Sequence, residues 1–73
     1  MTIRFNGREI ELPDGLTVLQ MLHRLGVLKA DVPPGRQGIA VERNRELVPG
    51  SRLGDEAVRS GDVFEVVTAF PGG

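Results

Sequence analysis

The 73-residue chain contains no cysteine and only one histidine, His23. Without thiols it can form no disulfide, thiolate metal site, cysteine nucleophile or cysteine persulfide. A lone imidazole leaves a zinc cluster or a Ser-His-Asp triad without its usual parts, and His23 reads as a solvated histidine. Charge excess is also missing: nine Lys and Arg against ten Asp and Glu give a net charge of -1. Phosphate backbones attract a basic surplus, so nucleic acid is not an expected ligand. No apolar run approaches the roughly 18 residues of a membrane span. Met1-Thr2-Ile3-Arg4 lacks the basic-then-apolar order of a signal peptide. These absences argue against membrane association and a stand-alone enzyme, and they make the cytoplasm the expected location.

What is present suffices for one small domain. Hydrophobic residues at 40% and charged residues at 26% match ordinary globular composition, so the chain should fold. A domain of about 60 residues buries only about 60% of its unfolded surface, so its stability should be modest. Ile3 and Phe5 alternate with polar neighbours, as do Ile10 and Leu12, and Asn6-Gly7 between them is a strong hairpin signal. Pro13-Asp14-Gly15 ends that unit. Val18, Met21, Leu22 and Leu25 then recur at helical spacing, with Thr17 and Gln20 placed for a capping box and Gly26 for a left-handed stop. This predicts a helix of about eight to ten residues.

Pro33-Pro34-Gly35 and its polar neighbours predict a mobile surface loop over residues 27–37. Strand character resumes at Ile39-Ala40-Val41, turns at Asn44, and continues through Glu46-Leu47-Val48 to Pro49-Gly50. Residues 51–59 carry no clear pattern. After Ser60-Gly61-Asp62, the run Val63-Phe64-Glu65-Val66-Val67-Thr68 is β-branched or aromatic at five of six positions, which suits a central strand. The fold class is therefore α+β: a mixed four- to five-stranded sheet packed on one main helix. A β-grasp fits this order, although periodicity alone leaves other small α+β folds open.

The domain should occupy residues 1–69, leaving Phe70-Pro71-Gly72-Gly73 as a flexible tail, because Pro cannot donate to a ladder and Gly has nothing to pack. A frayed end is one reading. The other is chemical: a terminal glycine offers a carboxylate on a thin lead that can thread another enzyme's active site. Adenylation would make its carbonyl electrophilic.

Several segments together resemble the thiamin-biosynthesis sulfur carriers, which are ubiquitin-like β-grasp proteins. They are the Asn6-Gly7 turn, Gly15-Leu16-Thr17-Val18 entering the helix, Gly38-Ile39-Ala40-Val41-Glu42-Arg43-Asn44, Leu47-Val48-Pro49, Gly61-Asp62-Val63-Phe64-Glu65-Val66-Val67, and Gly72-Gly73. The resemblance implies a protein cosubstrate with no catalytic residues of its own. An E1-like adenylating enzyme using Mg-ATP would activate Gly73, and a persulfide donor would supply sulfur. The resulting thiocarboxylate would serve thiazole synthase. The resemblance implies no cofactor or metal bound by this chain.

Two departures stand out. Leu53 occupies a region where relatives often carry an aromatic residue. Phe70-Pro71 is similar to molybdopterin-type carriers, which keeps that acceptor, tRNA thiolation and a ubiquitin-like modifier conjugated through Gly73 as alternatives. Val63, Val67 and Phe70 are candidates for partner docking. Arg43, Arg45, Arg52 and Arg59, interleaved with Glu42, Glu46, Asp55 and Glu56, read as a mixed solvated face.

Overall fold

The computed structural model describes residues 1–29 and 38–68. Five strands form one sheet: β1 (Thr2–Phe5), β2 (Arg8–Glu11), β3 (Ile39–Arg43), β4 (Glu46–Val48) and β5 (Val63–Thr68), in the order β2-β1-β5-β3-β4. The helix α1 (Val18–Arg24) is the only α-helix among the described residues. The last strand occupies the centre, parallel to β1 and antiparallel to β3. The sheet is mixed for that reason.

Both hairpins turn on two residues in the left-handed region. Asn6 and Gly7 have φ of 49° and 80° between paired Phe5 and Arg8, and Asn44 and Arg45 have φ of 52° and 71° between paired Arg43 and Glu46. Such turns match the twist of the flanking strands. Asn6-Gly7 suits this geometry locally, whereas Arg45 carries a Cβ into a region that L residues rarely adopt.

The capping box is complete. The Gln20 amide donates to Thr17 Oγ1 at 3.1 Å, and the Thr17 amide donates to Gln20 Oε1 at 2.9 Å. The other orphan N–H groups of the first turn are satisfied from far along the chain: Val18 donates to the Glu56 carbonyl at 2.8 Å and Leu19 to the Leu53 carbonyl at 2.9 Å. Thr17→Ala is expected to cost about 1 kcal/mol. A thermal melt should drop by about 4–8 °C for that loss in a domain of this size.

At the other end Gly26, at φ 75°, makes Leu25 the cap, so the helix has seven residues rather than eight to ten. The Gly26 amide donates to the His23 carbonyl and the Val27 amide to the Leu22 carbonyl, the paired bonds of a Schellman motif. This corrects the expected loop at its start. Val27 belongs to the helix stop and Leu28 is buried in the core, while residues 30–37 lie outside the described residues.

Val18, Met21 and Leu22 of α1 join Ile3, Val41, Val48 and Phe64 of the sheet in one buried cluster. Phe64 has no exposed surface. The patternless stretch also contributes: a 3-10 turn at Gly50–Arg52 delivers Leu53, which is 2% exposed and fills its core position, and Val58 follows it inside.

Candidate functional site

The expected chemistry depends on how β5 presents the residues that follow it. Two turn asparagines hold this strand. At its start, the Asn44 amide donates to the Val63 carbonyl at 2.7 Å, and the Val63 amide returns a bond to Asn44 Oδ1 at 2.9 Å. Near its end, Asn6 Oδ1 accepts from the Val66 amide at 2.7 Å and Asn6 Nδ2 donates to the Val66 carbonyl at 3.2 Å. Left-handed backbone lets each asparagine close its own turn and pair with β5 as a strand residue would.

Asp62 anchors the entry to β5. It is 6% exposed and accepts from the Arg59 amide at 2.8 Å, from Asn44 Nδ2 at 3.1 Å, and from Arg43 Nη2 at 2.8 Å. Burial pushes its carboxyl upward, but the Arg59 N–H, the Asn44 amide and the Arg43 guanidinium together outweigh it, so the group titrates below its ordinary value. Arg43 also binds Glu56 at 3.1 Å and the Ala57 carbonyl at 2.7 Å. Here the expectation of a mixed solvated face is corrected. Arg43 and Glu56 are partly buried and tie β3 to the segment that caps α1, whereas Arg45, Arg52 and Arg59 are exposed as expected. The segments Glu42-Arg43-Asn44 and Gly61-Asp62 thus meet in one structural clasp.

Gly73, Gly72, Pro71 and Phe70 lie outside the described residues. Val63 and Val67 point away from the helix, 40% and 60% exposed, opposite to buried Phe64. Leu47 on β4, at 65% exposure, is a further apolar residue that the sequence reading passed over. In Glu46-Leu47-Val48 two adjacent apolar residues compete for the buried face, and so short a run does not say which is outside. In register on the same open face, Glu42 stands directly opposite both Leu47 and Glu65, and Ala40 stands opposite Val67. His23, expected as a solvated histidine, is instead half-buried on α1. Among the described residues there is no group of three or more metal-ligating side chains and no helix long and apolar enough to cross a membrane.

Comparison with known proteins agrees with this architecture. A solved thiamine biosynthesis protein (ThiS) from Geobacter metallireducens is 25% identical and superposes with a TM-score of 0.77, covering 100% of both chains. That likeness makes the five-stranded sheet packed on α1 a β-grasp. A thiazole synthase from Paramagnetospirillum magneticum is 37% identical over 73 residues, all of this chain but only 20% of that protein's length. The chain therefore spans about a fifth of that relative. The ThiS family matches residues 3–73, through the β-grasp and both terminal glycines, and the chain belongs to that family.

Proposed function

We propose that the protein is a sulfur carrier of thiamin biosynthesis, serving as a cosubstrate through Gly73. The observation that carries this reading is the family match itself, which runs through Gly72 and Gly73 and so includes the residues that would react. A folded handle without cysteine has no thiol on which to hold a persulfide, and in this reading the Gly73 carboxylate takes the sulfur instead.

In the reaction, a carboxylate oxygen of Gly73 attacks the α-phosphorus of ATP on an E1-like adenylating enzyme, and pyrophosphate leaves. A persulfide on a donor protein attacks the acyl-adenylate carbonyl and expels AMP. A thiol then cleaves the acyl disulfide, leaving the Gly73 thiocarboxylate and an ordinary disulfide. Mg-ATP belongs to the adenylating enzyme. The thiocarboxylate is a softer nucleophile than the carboxylate and passes its sulfur to thiazole synthase. A thiazole synthase that contains a segment 37% identical to this chain supports that partner, because joining in one polypeptide places carrier and acceptor together.

Intact mass of the protein from its native cell tests the reading. A mass gain equal to one sulfur replacing one oxygen, confined to a C-terminal fragment, is the expected result. High-mass conjugates through Gly73 would instead assign it as a modifier. Growth of a deletion strain should be restored by added thiazole; failure of that rescue would move the acceptor to molybdopterin synthesis or tRNA thiolation.

A further inference from the structure

The two edges of β5 are held over different lengths. On the β3 side, backbone pairing continues to the last residue of the strand, Thr68 opposite Ile39. On the β1 side, among the described residues, backbone contact stops at Phe64, which pairs with Phe5 and whose carbonyl accepts from the Asn6 amide at 2.9 Å. The chain turns away there at Asn6-Gly7, and the Asn6 side chain carries the ladder one step further by bonding both the N–H and the carbonyl of Val66. Folding of the hairpin does not call for this group. A turn with both central residues left-handed is served as well by glycine or aspartate at the first position, and neither offers a side-chain donor and acceptor together at neutral pH.

From this geometry we infer that Asn6 is a positioning residue for the reaction at Gly73: its carboxamide keeps the end of β5 in line with the sheet and so fixes the direction in which the chain leaves toward its terminus. Without it, the last residues of β5 would be paired on the β3 side alone. Two-stranded ribbons twist more than the strands of a wider sheet, by about 10° for a strand pair. Residues 69–73 follow Thr68, so the terminal carbonyl lies within about 17 Å of the strand end when the chain is fully extended. A swing of about 10° at the strand end moves the far end of that reach by about 3 Å. A misplacement of 1 Å at a reacting centre can cost roughly 10²-fold, and backbone rotation along the lead recovers part of it, which leaves an expected loss of about tenfold.

This inference rests on the proposed function, which supplies the reaction: ATP-dependent adenylation of Gly73. The expected loss falls on kcat. Apart from one side chain the carrier keeps its surface, so KM should hold while fewer of the bound carriers bring the carboxylate to the α-phosphorus of ATP.

The test uses the whole chain, the adenylating enzyme of the source organism, and Mg-ATP, with pyrophosphate exchange as the readout. Asn6→Gly keeps a residue that suits the turn and deletes the carboxamide, whereas Asn6→Asp keeps the size and sets a carboxylate oxygen against the Val66 carbonyl. Both should lower kcat by about tenfold, hold KM within about twofold of wild type, and speed amide hydrogen exchange at Val66. Thr17→Ala, which loosens the start of the helix instead, should leave kcat unchanged despite its lower melting temperature. A fall in kcat that follows the bonds to Val66 and not the melting temperature is a pattern that a merely structural role does not produce. Unchanged kcat in both Asn6 variants overturns the inference alone, and so does an equal fall in Thr17→Ala. A rise in KM at constant kcat would make Asn6 a contact for the enzyme and overturns it as well. A wild-type chain that is never adenylated overturns the proposed function with it.

Discussion

Removal of Gly73 is expected to lower pyrophosphate exchange by about a hundredfold or more while leaving thermal unfolding unchanged. Deleting the residue retracts the carboxylate by about 3.5 Å, the rise of one extended residue. A misplacement of 1 Å at a reacting centre can already cost roughly 10²-fold. Stability should be spared because glycine brings no side chain to the core, and the apolar cluster among the described residues ends at Val66. Addition of a residue after Gly73 should be as damaging, since the new carboxylate would carry a different side chain into the adenylating enzyme's active site. Retained exchange in the truncated protein would sink both the carrier and the modifier readings.

Asp62→Asn should bring the largest loss of stability, about 3 kcal/mol, because it withdraws the countercharge from partly buried Arg43. It also turns an amide toward donors: the Arg59 N–H and Asn44 Nδ2 both point at this side chain. A chain of this length has about 4–11 kcal/mol in total, so the melting point should fall by about 15 °C. Acid should narrow the difference. The folded carboxyl titrates below its ordinary value, so its contribution is complete above the unfolded value and disappears as pH falls through the lower folded one. The gap between wild type and variant should hold from neutrality to about pH 5 and shrink below about pH 4. Urea titrations at several pH values measure this. A gap that persists undiminished at pH 2 would show that the aspartate charge does not carry the effect.

Legibility in the sequence followed the range of each interaction. Asn6-Gly7, Thr17 with Gln20, and Gly26 act within a few residues, so composition and spacing announced them. The exceptions are instructive. Leu53 and Val58 sit in a stretch without period because each reaches the core from an irregular segment, and the Leu53 and Glu56 carbonyls there serve the helix N-terminus over 30 residues away. Asn6 looked like a turn residue only, since the Val66 amide it binds lies 60 residues along the chain. Arg43 and Asp62 were visible as family segments, yet nothing local said that they hold each other.

The missing cysteine and the near balance of charge are properties of the covalent chain, and by themselves they excluded thiol chemistry, while Gly72-Gly73 pointed to the carboxylate chemistry proposed above. Alternation and capping signals likewise determined the strands, the helix and the α+β class, because these depend on neighbours in sequence. The β-branched run of β5 marked it as the central strand, but which strands flank it, and what they set beside its outer face, depended on pairings that no periodicity specifies. Only tertiary structure set Glu42 against Glu65 and placed Leu47 and Val67 on the same face. Strand register is fixed by which faces must be buried together, and that requirement exists only once Phe64 and Val41 have met the helix.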